Sequence, residues 1–178
     1  MIDYIFGAPI LKSRLPNHDQ IKSAFSDYIN NDSVFKVSST WDCNCTTTFD
    51  NDKNMQLPWE IFFENVKPVL HDYIVGLNVK EEFKNELYAT AWANKYKKGQ
   101  HQEVHAHGSA VNFISCAYML TLPENSGAFN FYNSGGEFFP VHMSKVFHMP
   151  TLHGKRLTPV LEEGDIIFFP SSLDHYVT

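Results

Sequence analysis

The chain has 178 residues, of which 43% are hydrophobic and 15% aromatic, enough for one globular domain with a substantial core. A formal net charge of −6 leaves no basic patch with which to grip a nucleic-acid backbone. No apolar run approaches the roughly 18 residues of a membrane span, and the apolar stretch in "MIDYIFGAPILKSRL" has no basic region ahead of it, so neither a transmembrane helix nor a signal peptide is expected.

In chain order, "PNHDQIKSAFSDYIN" carries Ile21, Ala24, Phe25, Tyr28 and Ile29 at helical spacing, with Asn17 and Gln20 as a start signal of the capping-box kind. Residues 30–56 are rich in Asn, Asp, Ser and Thr and are expected to be irregular. "LPWEIFFENVKPVLHDYIVGL" repeats the helical pattern through Trp59, Phe62, Phe63, Val66, Leu70 and Tyr73. Pro58 suits its first turn, and Pro68 should kink or split it. "VKEEFKNEL" adds one or two helical turns. From Glu86 the period changes. "LYATAWANKYK" alternates, with Tyr88, Thr90, Trp92, Asn94 and Tyr96 on one face. "VNFISCAYMLTL", "GAFNFYN", "PVHMSKVFHM", "RLTPVLEE" and the apolar "GDIIFFP" read as further strands. The expectation is a single domain, 1–178, with a helical and irregular part over 1–85 and a β-sandwich or barrel over 86–178.

Three cysteines, Cys43, Cys45 and Cys116, are too few for a disulfide framework. The C-x-C pair admits a metal or redox reading, and the expectation is reduced thiols in a cytoplasmic protein.

The richest stretch is "GQHQEVHAHGS". His101, Glu103, His105 and His107 alternate, so on a regular strand they share one face at steps of roughly 6.6 Å. Four such groups cannot all reach one ion, because metal–nitrogen bonds are about 2 Å long. One adjacent pair must be the chelating one. His105 with His107 is one choice, and Glu103 with His105 is its rival.

Around this stretch the chain reads N-x-Y-x-x-G-x5-H-x-H, from Asn94 through Tyr96, Gly99, His105 and His107. Later "EGDIIFFPSSLDHYV" gives G-x5-P-x4-H through Gly164, Pro170 and His175. The paired segments resemble those of double-stranded β-helix proteins, the cupins and the 2-oxoglutarate/Fe(II) oxygenases. "HAHGSAVNFISCAYMLTLPENSGAFNFYN", the F-P-S-x-L-x-H ending and "YIFGAPILKSRLPN" resemble a bacterial and phage-type oxygenase family in particular. The resemblance is weak over residues 30–85 and 133–160.

The resemblance implies a double-stranded β-helix (a jelly roll, cupin-like) over the second half. It implies an Fe(II)- and 2-oxoglutarate-dependent oxygenase that couples oxidative decarboxylation of 2-oxoglutarate to C–H hydroxylation. Carried over by position, the metal ligands are His105, His107 and His175. Asn94 and Tyr96 face the 2-oxoglutarate, and Tyr118 stands where the family carries a tyrosine in the pocket. A small-molecule or peptide substrate is implied, with no nucleic acid and no membrane. His101 is expected to be a polar strand-edge residue. Two departures stand out. The second ligand, usually Asp or Glu in the wider superfamily, is His107. The arginine that such oxygenases carry some ten residues past the last histidine has no counterpart, since only Arg14 and Arg156 are present. Either another cation serves, or the chain is a fragment whose unpaired sheet edge invites a homodimer. A three-histidine cupin enzyme without 2-oxoglutarate, or a binding domain, is the alternative reading.

Overall fold

The computed structural model describes residues 7–83, 88–108, 112–134 and 155–178. Its elements in order are β1 (Leu11–Arg14), α1 (His18–Ile29), β2 (Lys36–Val37), β3 (Thr46–Thr47), α2 (Trp59–Gly76), β4 (Asn94–Lys95), β5 (Gln102–His105), β6 (Ile114–Tyr118), β7 (Phe129–Tyr132), β8 (Arg156–Leu157), β9 (Asp165–Pro170) and β10 (His175–Val177). The described strands form three antiparallel sheets, ordered β1-β9-β6, β5-β10-β7-β8 and β2-β3-β4. The chain is therefore mainly β, with few helices. No described helix is long and apolar enough to cross a membrane.

Strand β9 explains the architecture. Its residues from Asp165 to Phe169 are all buried, which is why the run is continuously apolar rather than alternating. Ile166 and Phe168 point to one side and join Leu15, Ile21, Phe25, Phe62, Val66 and Tyr73. On that side α1 and α2 cover the sheet, and Tyr73 stacks on Phe168 at 5.7 Å between ring centroids. Ile167 and Phe169 point to the other side, where they meet Phe129 and Phe131 of β7. The second sheet thus faces the first across an apolar layer. Fully burying side chains of this size is worth about 1.5–3 kcal/mol each, so β9 anchors two cores at once.

The helices form where the apolar spacing puts them, with two local corrections. The capping box at Asn17 and Gln20 does not form. Asn17 sits in the left-handed region (φ 55°), has no side-chain cap bond, and donates through Nδ2 to Asn65 Oδ1 at 3.1 Å, tying α1 to α2. Pro68 does not split α2, which runs unbroken through it. The 30–56 region is held by asparagine turns. Asn31 and Asn51 accept from the backbone N–H of Ser33 and Lys53 and start two short 3-10 turns. It also contributes β2 and β3, which pair with each other, and β3 pairs in turn with β4.

The strand readings shrink at their edges. Of "LYATAWANKYK" only Asn94–Lys95 joins a ladder, because side chains replace strand partners before it. Asn54 Nδ2 donates to Ala91 O, and the Ala93 N–H donates to Thr48 Oγ1. Of "RLTPVLEE" only Arg156–Leu157 pairs, two residues before Pro159, which has no N–H to give. "VKEEFKNEL" gives a single 3-10 turn at Glu81–Phe83 within the described residues. "PVHMSKVFHM" lies outside them.

Candidate metal centre

Two strands and one turn bring the three histidines together. His175 opens β10 and is registered directly opposite His105 on β5. Residues opposed across an antiparallel pair have Cβ atoms about 4.5–5.5 Å apart. His107 lies two residues beyond His105, and its backbone N–H donates to Ser171 O at 2.8 Å. Ser171 belongs to the turn between β9 and β10, so the turn that delivers His175 also fixes His107. Ring centroids are 5.0 Å apart for His105–His107, 4.3 Å for His105–His175 and 4.8 Å for His107–His175.

Each imidazole has its Nδ1 occupied by the protein. His105 Nδ1 lies 2.9 Å from Glu103 O, His175 Nδ1 2.9 Å from Leu173 O, and His107 Nδ1 3.0 Å from Ser115 Oγ. A carbonyl can only accept, so Nδ1 carries the proton in His105 and His175, and Nε2 is left with the lone pair. Ser115 Oγ is in turn 2.8 Å from Ser171 Oγ, which is itself buried. This is how metal-ligating histidines are oriented, by hydrogen bonds behind the ring. The three ligating atoms lie within 4.8 Å of one another, so the set could hold one metal ion. Burial lowers the His107 pKa to about 4, with nearby His105 adding to the effect, and burial likewise lowers that of His175 to about 4. Both rings are therefore neutral at pH 7, the form a metal requires. The donor set, the Nε2 lone pairs of His105 and His175 and the supporting bonds all fit a divalent transition metal.

The walls are aromatic. His175 stacks on Phe129 at 5.6 Å and meets the edge of Phe169 at 4.9 Å. Trp92 meets His107 edge to face at 5.5 Å, and Trp41 and Phe49 pack behind it. Trp92 and Trp41 belong to the site wall, whereas Trp59 is core, packed on Phe25 and Phe62.

The sequence-predicted residues divide clearly. His105, His107 and His175 come together. Asn94 and Tyr96 come to their edge through Gln102, a residue that the alternation reading passed over. Gln102 Oε1 lies 2.5 Å from Tyr96 Oη and 3.4 Å from Asn94 Nδ2, and its Nε2 lies 3.4 Å from His105 Nε2. The reason is a β-bulge. Opposite the two-residue step from His175 to Val177, β5 advances three residues, from His105 back to Gln102. That extra residue breaks the strict alternation, so His101, Glu103, His105 and His107 do not form one regular face. Glu103 is outside the ligand cluster and serves it through its backbone carbonyl. His101 is exposed, with its N–H on Asn44 Oδ1.

Tyr118 is not brought to the histidines, which corrects the pocket expectation. On β6, Ser115 faces His107 and Ala117 packs in the Phe129–Phe169 layer, while Tyr118 packs on the helix side against Phe62. There its hydroxyl is 2.6 Å from His18 Nδ1, and His18 Nε2 is 3.4 Å from Glu163 Oε1. Arg156 and Lys95, either of which could supply a cation in place of the downstream arginine, have other partners. Arg156 Nε donates to Thr158 Oγ1, and Lys95 Nζ binds Ile29 O and Asp32 Oδ1. The C-x-C thiols lie 3.4 Å apart, with Cys45 buried and its pKa pushed up to about 12, first by that burial and then by Cys43.

A family model described as "Putative 2OG-Fe(II) oxygenase" matches residues 90–178, half of the chain, with all three clustered histidines inside it. No curated protein matches the chain.

Proposed function

Because the chain belongs to the 2OG-Fe(II) oxygenase family, we propose that it is an Fe(II)- and 2-oxoglutarate-dependent hydroxylase acting on a small molecule or peptide. His105, His107 and His175 hold the iron in this reading. The observation that carries it is the convergence of three imidazoles, each with Nδ1 engaged behind the ring. Two antiparallel sheets facing each other across Phe129, Phe131, Ile167 and Phe169, with the histidines beside that layer, support a double-stranded β-helix as the frame.

Bound iron supplies the redox chemistry that couples decarboxylation of 2-oxoglutarate to hydroxylation of a C–H bond. The chain's own residues do the rest. Glu103 O, Leu173 O and Ser115 hold the three rings in one orientation. Phe129 and Phe169 shield the His175 side from water, and Trp92 forms a flat wall beside His107 for the substrate. Asn94 and Tyr96 line the adjacent edge, where 2-oxoglutarate binds in this reading. Anaerobic titration of the iron-loaded protein with 2-oxoglutarate, followed by assay of succinate release in air, tests it. Saturable binding and succinate release are expected. A protein that takes up iron but neither binds nor consumes 2-oxoglutarate would falsify the reading.

One observation favours a second reading. All three ligand candidates are imidazoles, the donor set of cupin-type enzymes that work without 2-oxoglutarate. Metal uptake with no 2-oxoglutarate binding is the outcome that selects it.

A further inference from the structure

Gln102 has a 5% exposed side chain at the rim of the three-histidine site. Its contact with Tyr96 Oη is 2.5 Å long. That is an O–H···O length, shorter than N–H···O bonds run, so the amide oxygen faces the tyrosine. Burial, followed by the neighbouring Cys45, pushes the Tyr96 pKa well above its ordinary value. The phenol stays protonated and donates. Asn94 Nδ2, at 3.4 Å, donates to the same oxygen. The amide is therefore held with its NH2 group turned to His105 Nε2, 3.4 Å away. That lone pair is the one the metal takes. With the metal in place, the buried N–H of Gln102 loses this acceptor and needs another beside the imidazoles.

We propose that Gln102 is a ligand-binding residue of this site. Its Nε2–H donates to an oxygen of the carboxylate that shares the metal with the three histidines, and Tyr96 is the positioning residue that keeps the amide turned that way. The inference rests on the proposed three-histidine metal site and names the residue that receives the anion there. It also gives the anion a hydrogen-bond donor where the described arginine and lysine side chains with assigned partners are engaged elsewhere.

The test uses the full chain loaded with Co(II), with oxalate and 2-oxoglutarate as separate probes, and calorimetry on the wild type, Gln102→Leu, Gln102→Glu and Tyr96→Phe. Co(II) affinity is measured first for each. Hydrogen bonds to charged groups are lost at roughly tenfold to a hundredfold in affinity. Gln102→Leu should weaken both anions by that factor and leave Co(II) affinity within about threefold. Gln102→Glu, which keeps the Tyr96 bond but turns a carboxylate towards the anion, should weaken them further. Tyr96→Phe should give a smaller loss of anion affinity, again at near-constant Co(II) affinity. Unchanged anion affinity in the Gln102 variants overturns the proposal, as does a loss of Co(II) equal to the loss of anion. A wild type that takes Co(II) but neither anion overturns it as well. Oxalate binding that depends on Gln102, with no binding of 2-oxoglutarate, upholds the Gln102 inference and rejects the hydroxylase reading.

Discussion

His105 and His175 stand directly opposite each other across β5 and β10, with ring centroids 4.3 Å apart. This cross-strand pair, with His107 two residues further along, makes a three-donor face from segments far apart in the sequence. Replacing either His105 or His175 with Ala should abolish stoichiometric Co(II) or Fe(II) binding, read by metal analysis after dialysis. His101→Ala should leave it intact, because His101 is exposed and takes no part in the cluster.

The Ser115 hydroxyl links His107 Nδ1 to Ser171. Such supporting bonds typically contribute 10–100-fold in metal affinity. Ser115→Ala should therefore weaken metal binding by about that factor while the far-ultraviolet circular dichroism is unchanged. Equal affinities for wild type and variant would mean that the ring is held by packing alone.

The burial of His107 and His175 makes apo-protein stability depend on pH. Their pKa values are about 4 in the fold and near 6.5 when unfolded. Between those values the unfolded chain binds protons that the folded chain does not. Their neutral burial is therefore tolerated above about pH 6.5, and stability falls as pH drops from there towards 4. Thermal melts of the metal-free protein should show Tm declining over that window. A variant with both residues changed to Asn should show a flatter decline. Identical slopes would sink the assignment.

Glu163 works in the same sense at lower pH. Its pKa is lowered to about 2, first by the hydrogen bond from Lys22 and then by the Leu122 N–H, which it also accepts. A depressed carboxylate contributes stability above its unfolded value near 4.5 and loses it as pH falls towards 2. Glu163→Gln should lower Tm at pH 7 and narrow the gap to wild type at pH 2–3. A gap independent of pH would show that the charge contributes nothing.

Phe169 packs against Phe129, Phe131 and His175 and is 1% exposed. Phe169→Ala should cost about 3–5 kcal/mol in urea unfolding and loosen the metal site along with the core. A loss below about 1 kcal/mol would mean that the two sheets are not packed as described.

The parts of the site that follow from local chemistry were readable in advance. The pair His105 and His107, and the third histidine after Pro170, are picked out by the resemblance of the segments that begin at Gly99 and Gly164, where alternation alone leaves Glu103 with His105 as a rival. Gly164 shows why such a position is informative. It adopts φ 92°, and a Cβ there would meet the His18 ring at 3.0 Å, so the turn into β9 demands glycine. What stayed hidden depends on long-range register. Gln102 looked like the wrong face of the strand, because one extra residue in β5 cannot be seen without its partner β10. Tyr118 was placed in the pocket by family position alone, and position along β6 does not say which face meets the helices. The asparagine cap of α1 failed for a tertiary reason, the bond from Asn17 to Asn65.

Strand β9 lies between β1, near one end of the chain, and β6, with Leu11 registered against Phe168. Such pairing closes loops almost as long as the chain itself, so folding must find its most distant contacts before β9 is held on both sides. High contact order of this kind slows folding. The histidine set, which needs the turn after β9, cannot assemble ahead of that event. In refolding, metal capture should be a late step, with metal-dependent signals appearing only after β-sheet signals have reached their native level. The ion would then act as a lock on a finished structure, adding stability by mass action, and not as a template for building it.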